Sequence, residues 1–234
     1  MDSGTSSLAS RPAPERQIPH AVLATIGHEL RTPLTSIRGY VERLLDGDCD
    51  ARTARRFLKT VQREALRLGR LVDGMLEFSL LDLSTSPSVI CELSEQVRAA
   101  IELLSPMAAE RGVTIRTRLP DAAFARVDAD ACVRALTNLI ENAIKYGGAH
   151  RMVDIACTCE TPYVAVMVED DGPGVAPEKR DEIFLLGVRG EGASSGCGIG
   201  LAIVKAIAER AGGDVGVEAS SLGGARFVLR FLEG

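Results

Sequence analysis

The chain has 234 residues, 46% hydrophobic and 25% charged, with a formal net charge of -5, an ordinary composition for a soluble globular protein of one or two domains. Its mild acidity argues against nucleic acid as the principal partner, and no run approaches the roughly 18 apolar residues that would cross a membrane. Only 4% of residues are aromatic and none is Trp, so the core has to be built from Leu, Val, Ile and Ala.

Residues 1–16 are rich in Ser, Ala and Pro, show no periodicity, and are expected to form a disordered leader. From Ile18 to about Asp46, Val22, Ile26, Leu30, Leu34, Ile37, Val41 and Leu44 recur by threes and fours, which predicts an amphipathic helix. His28 lies two residues from both Ile26 and Leu30, so it faces away from that stripe. A nucleophile explains this placement better than a core histidine does.

Gly47-Asp48 interrupts the pattern and a second helix begins near Ala51. Ala54, Val61, Leu68 and Met75 repeat by seven beside a companion row of Leu58, Ala65 and Val72, the pattern of a helical bundle. Two helices of about 30 residues make a hairpin about 45 Å long. Such a hairpin cannot bury both stripes alone, so residues 17–83 are expected to dimerise into a four-helix bundle.

The small polar residues and Pro at 84–88 mark a linker, after which a second domain spans 89–234. Strands are predicted at Val89–Leu93, Val113–Leu119, Phe124–Val127, Val153–Cys159, Tyr163–Glu169, Val215–Ala219 and Ala225–Leu232. Helices are predicted at Ser94–Arg111, Ala129–Tyr146 and Ile199–Ala211, each closed by glycine. This order predicts an α/β sandwich, a mixed sheet with helices on one face. The six cysteines, at 49, 91, 132, 157, 159 and 197, form no paired Cys-x-x-Cys units, which favours core thiols in a reducing, cytoplasmic compartment over a metal site.

Four groups of residues in the second domain suggest nucleotide chemistry. Asn138 and Asn142 lie one helical turn apart, where two amide oxygens suit hydrated Mg²⁺, with Lys145 on roughly the same side for phosphate. Asp170 stands at a strand end, before Asp171-Gly172-Pro173-Gly174, where a carboxylate accepts an exocyclic amine. Phe184 and Arg189 precede a Gly- and Ser-rich stretch that reads as a lid, with Arg189 directed at a terminal phosphate. Gly196, Gly198 and Gly200 open a helix whose N-terminus attracts anions. Each group alone is weak: Asp-Gly-Pro-Gly is also a turn signature, and the Gly-x-Gly-x-Gly spacing is not that of a dinucleotide fingerprint.

Their order is specific: His-Glu-x-x-Thr-Pro, Asn-x-x-x-Asn, Asp-x-Gly-x-Gly, Phe, then Gly-x-Gly-x-Gly. From about Ile18 to Gly234 the chain resembles the catalytic core of a two-component sensor histidine kinase, with a phosphoacceptor hairpin and a Bergerat-type ATP-binding domain. The resemblance implies that His28 is the phosphoacceptor, Glu29 its general base, Thr32 a residue for dephosphorylating the partner, and Pro33 a bending point. It also implies ATP and Mg²⁺ as cofactors. Asn138, Asn142, Lys145 and Tyr146 would face metal and phosphates, Asp170 the adenine, and Gly172, Gly174, Gly196, Gly198, Gly200 and Leu201 the nucleotide loops. The implied partners are a second copy of the chain and the receiver domain of a response regulator, with no nucleic acid and no membrane contact by the chain itself. The cytoplasmic portion of a longer membrane-bound sensor fits the same pattern.

The sequence departs from the family at Gly27, where Ser is usual, Val22 (often aromatic), Asp171 (commonly Asn) and Gly187 (commonly a second Phe). Relatives that hydrolyse ATP carry Glu where this chain has Asn138. An ATPase, or a dimeric ATP-binding scaffold without phosphotransfer, is the competing reading.

Overall fold

A computed structural model describes residues 20–47, 49–83, 89–148, 150–188 and 198–234. The expected leader and the expected linker at 84–88 lie outside the described residues. The chain opens with α1 (His20–Leu45) and α2 (Ala51–Leu83), packed as a hairpin. Gly47 at φ 76 makes the turn, a left-handed conformation that a side chain would penalise, and the Asp50 carboxylate caps α2 by accepting the Thr53 amide at 2.7 Å. Pro33 lies inside α1, where it removes one backbone donor without ending the helix.

Inside the hairpin, Tyr40 and Phe57 meet with ring centroids 5.0 Å apart, and Arg43 and Arg56 lie over the Phe57 ring. The hydrophobic stripe expected from the sequence divides. On α2 the row of Ala54, Val61, Leu68 and Met75 is half-buried and the companion row of Leu58, Ala65 and Val72 is exposed, as are Leu34 and Val41 of α1. Phe57 and Leu71, which belong to neither row, are the buried apolar side chains of α2 among the described residues. The two rows differ because a pair of helices covers only one side of each, so the companion row has no partner within a single chain.

The second region begins with β1 (Ile90–Glu92), α3 (Leu93–Arg111), β2 (Thr114–Arg118), β3 (Phe124–Arg126) and α4 (Ala129–Tyr146). It continues with β4 (Met152–Glu160), β5 (Tyr163–Asp170), α5 (Gly200–Arg210), β6 (Asp214–Ala219) and β7 (Ala225–Leu232). Glu92 caps α3 by accepting the Ser94 and Glu95 amides, and Asp128 caps α4 through Ala131. The main sheet runs β2-β4-β5-β7-β6, with β2 and β4 parallel and the remaining neighbours antiparallel. β1 and β3 pair separately as a two-stranded sheet, which the sequence reading did not anticipate.

The two faces of the main sheet differ in chemistry. Val153, Ile155, Val164, Val166, Val168, Leu229 and Phe231 are buried in one core with Leu136, Leu139 and Ile140 of α4 and Ile203, Val204 and Ile207 of α5. The other face carries charge: Arg118 meets Asp154 at 3.1 Å, and Arg226 bridges Glu169 and Glu218. Alternating side chains along each strand produce this division. The hairpin joins the same core through Leu71, with Leu30 and Met75 packed against it. Gly74 of α2 lies so close to α5 that a Cβ there would meet Ile199 at 3.0 Å.

Candidate functional site

The expected site residues separate into two places. His28 and Glu29 lie within α1, followed one turn later by Thr32, which is exposed, and by buried Pro33. The nucleotide candidates gather elsewhere, around the end of β5, the last turns of α4 and the first turn of α5.

At the end of β5, Asp170 is buried, and its Oδ1 accepts both the Gly172 amide at 2.8 Å and the Ala225 amide at 3.1 Å. Among the described residues, none donates to Oδ2. Burial pushes the Asp170 carboxyl above its ordinary range, the two amides oppose that shift, and the neighbouring charge of Asp171 adds to it. A buried carboxylate with one committed oxygen and one uncommitted oxygen is chemically an acceptor for an amine.

Close backbone packing surrounds this acid. A Cβ on Gly172 would sit 2.3 Å from the Tyr146 carbonyl oxygen, and one on Gly224 would sit 2.2 Å from Asp170 Oδ1. Gly174, at φ 72, approaches the Gly224 carbonyl. The glycines of the turn therefore accommodate protein backbone, locking the end of α4, the β5 turn and the β6–β7 turn together.

Asp171, read from the sequence only as a departure from Asn, proves to be a clamp. Its carboxylate accepts the amides of Gly148 at 3.0 Å, His150 at 2.8 Å and Met152 at 3.1 Å, tying the α4–β4 connection to the β5 turn. Burial pushes this carboxyl up, but the three amides outweigh it and hold the group below its ordinary range. The signal available in the sequence was the run of three acids, Glu169-Asp170-Asp171, at a strand end.

On α4, the Asn138 amide nitrogen donates to the Arg134 carbonyl at 3.0 Å. Its Oδ1 faces the first turn of α5, 2.5 Å from where a Cβ on Gly200 would be. Gly200 is thus the residue that lets Asn138 stand beside the N-terminus of α5. Asn142 follows one turn later, half-buried. Lys145 pairs with Glu141 at 2.8 Å, so its charge is held along the helix. Tyr146 is exposed, and Leu201 is half-buried against the core.

The two ends of the expected lid meet. The Gly187 amide donates to the Gly198 carbonyl at 2.9 Å, and both residues have positive φ, 84 and 67. A Phe at 187 would not adopt that backbone readily, which gives a physical reason for this departure from the family pattern. Phe184 is buried edge-on to Phe227 at 6.3 Å. Arg189 and Gly196 lie outside the described residues.

The core-thiol expectation holds for three of the cysteines, while Cys49 is half-buried, Cys159 is exposed and Cys197 lies outside the described residues. Cys91, Cys132 and Cys157 are buried, and burial pushes the Cys157 thiol up to about 12. Among the described residues, no group of three His, Cys, Asp or Glu side chains could hold a metal.

Comparison with known proteins assigns both regions. Residues 20–84 match the His Kinase A (phospho-acceptor) domain, and residues 127–234 match the Histidine kinase-, DNA gyrase B-, and HSP90-like ATPase family. Sensor protein RstB of Escherichia coli (strain K12) is 33% identical over 207 residues, covering 86% of this chain and 46% of RstB. The chain spans about half the length of the curated relatives it matches, or less. Full-length ShkA, solved in complex with AMPPNP, is 28% identical with a TM-score of 0.63, covering 92% of this chain and 46% of ShkA. Histidine kinase ThkA, solved in complex with response regulator protein TrrA, shares the fold with a TM-score of 0.73 at 22% identity, covering 92% of this chain and 61% of that one.

Proposed function

The chain belongs to the two-component sensor histidine kinases, as their catalytic core, and from that premise we propose that it uses Mg-ATP to phosphorylate His28 and passes the phosphoryl group to an aspartate of a response regulator. The observation that carries the reading is buried Asp170, whose Oδ1 is held by two amides and whose Oδ2, accepting from none of the described residues, is left for an adenine amine. Residues 17–83 act as the phosphoacceptor and dimerisation hairpin, 84–88 as the linker and 89–234 as the ATP-binding domain.

Asn138, whose amide oxygen faces the start of α5, and Asn142 one turn on fit a hard, hydrated cation, and they would hold Mg²⁺. The bound ion supplies charge neutralisation at the phosphates. Lys145, released from Glu141, and Arg189 add to that neutralisation. Tyr146, Gly172, Gly174, Gly196, Gly198, Gly200 and Leu201 shape the nucleotide loops.

An imidazole with a reference pKa of ~6.5 is largely neutral near pH 7 and can attack. A ring nitrogen of His28 forms a bond to the γ-phosphorus as the bond to the ADP oxygen breaks, and Glu29 takes up the ring proton. Because acceptor and nucleotide sit on different regions, the linker must bring them together, and proximity then supplies much of the rate. Thr32 serves the reverse task, dephosphorylation of the regulator. The working unit is a homodimer in the cytoplasm, whether or not it is attached to a membrane sensor; no helix among the described residues is long and apolar enough to cross a membrane.

Incubation with γ-labelled ATP and Mg²⁺ should give a phosphoprotein that loses its label in acid and keeps it in base. An acid-stable label would mark a hydroxyl acceptor and overturn the proposal.

A further inference from the structure

Glu169, next to Asp170, faces the other side of the sheet, because successive strand residues alternate. It cannot touch a nucleotide that Asp170 holds. Yet it is buried, and it gathers an unusual number of donors. Its Oε1 meets Arg226 Nη2 at 3.0 Å. Its Oε2 accepts the Ser220 hydroxyl at 2.8 Å, the Ser221 hydroxyl at 3.2 Å and the Ser221 amide at 3.3 Å. Burial raises this carboxyl and the donors more than reverse the shift, Ser220 and Arg226 foremost, which leaves it a firmly ionised anchor.

What Glu169 anchors is the β6–β7 turn. Ser220 also accepts the Leu222 amide through its hydroxyl and the Gly223 amide through its carbonyl, and its own amide donates to the Gly224 carbonyl. The same turn ends at Gly224, which abuts Asp170, and at Ala225, whose amide donates to Asp170 Oδ1. A continuous path of bonds therefore runs from Glu169, through Ser220 and Ser221, to Ala225, which among the described residues is the donor beyond Gly172 that fixes the Asp170 carboxylate. Of the other acids on that face, Asp154 on β4 is paired with Arg118 and Asp214 on β6 with Arg230, so neither takes part, whereas Glu218 shares Arg226 with Glu169.

We propose that Glu169 is a positioning residue for adenine recognition: by holding the Ser220–Gly224 turn against Asp170, it fixes the orientation of the Asp170 carboxylate and so the preference for a base bearing an exocyclic amine. The inference rests on the reading of Asp170 as the adenine acceptor. A purely structural role for Glu169 would weaken every nucleotide alike. A positioning role weakens only those that use the amine.

The test is calorimetric affinity for ADP and for inosine diphosphate, which carries a carbonyl in place of the amine, measured on the full chain. In Glu169→Gln an amide donor replaces a carboxylate oxygen, facing either the serine donors or the guanidinium. ADP affinity should fall about tenfold while inosine diphosphate affinity stays nearly constant, so that the ratio collapses. The double variant Ser220→Ala with Ser221→Ala should move the ratio in the same direction by a smaller factor, and it carries the test if circular dichroism shows Glu169→Gln unfolded. Equal losses for both nucleotides, or no loss, in the folded variants would overturn the proposal. Asp170→Asn separates the layers. If it collapses the ratio and the Glu169 and serine variants do not, positioning is refuted and adenine recognition stands; if it leaves the ratio intact, both fall.

Discussion

The helical hairpin and the sheet region follow the same hydrophobic rules to different ends. The sheet region closes its core within one chain: helices α3, α4 and α5 cover its apolar face, and its opposite face is laced with ion pairs. The hairpin leaves a row open, with Leu45 81% exposed and Leu58, Leu66 and Leu76 each more than half exposed. Exposed apolar side chains on both helices fit the open side of the proposed bundle. One region thus buries its main apolar face within one chain, whereas the other leaves apolar side chains exposed, which fits the proposed dimerising phosphoacceptor hairpin.

The sharpest way to break this contrast is to charge the open row. Leu58→Glu with Val72→Glu should convert the dimer to monomer in sedimentation at micromolar concentration, while ADP affinity changes by no more than about twofold. Retained dimer would mean that the exposed row is not the interface. Next in size, Asp170→Asn should lower ADP affinity about a hundredfold, as expected when a charged acceptor is lost from a buried site, with the circular dichroism spectrum unchanged.

Leu71 is where the two regions meet. Its side chain is buried with the sheet region's core, although it belongs to α2. Leu71→Ala should cost about 2 kcal/mol in urea unfolding, whereas Leu58→Ala should cost much less in a monomeric background.

The smallest effect is in acid. The Asp171 carboxyl lies below its ordinary range, so its stabilisation is complete above the unfolded value of ~3.9 and is lost as pH falls through the lower folded value. Asp171→Asn should flatten the stability profile in that acid window. Asp170 is shifted the other way, so ADP affinity should begin to fall, on acidification, at a higher pH than an ordinary aspartate would give. Titration of both variants by calorimetry and thermal unfolding distinguishes the two carboxyls.

Much of this contrast was legible in the sequence, because it depends on local periodicity. The helical spacing of Ile26, Leu30 and Ile37, the alternation of β2 and the terminating Gly47 and Gly112 all act within a few residues of themselves. The burial of Phe57 and Leu71 rather than the Leu58 row was not legible, since it depends on which side of α2 meets α1 and the sheet region's core. The work of Glu169 and Asp171 was equally hidden. Their partners lie across the fold, at Ser220, Ser221 and Arg226 for the first and at Gly148, His150 and Met152 for the second. Asp170 could be singled out by its turn; the residues that hold it in place could not.

The division of labour between the two regions is tested most directly by measuring, on the same preparation of His28→Gln, both ADP affinity and labelling from γ-labelled ATP. The variant should bind ADP within about twofold of the parent and take up no acid-labile label. Acid-labile label persisting on His28→Gln would contradict the assignment of the phosphoacceptor.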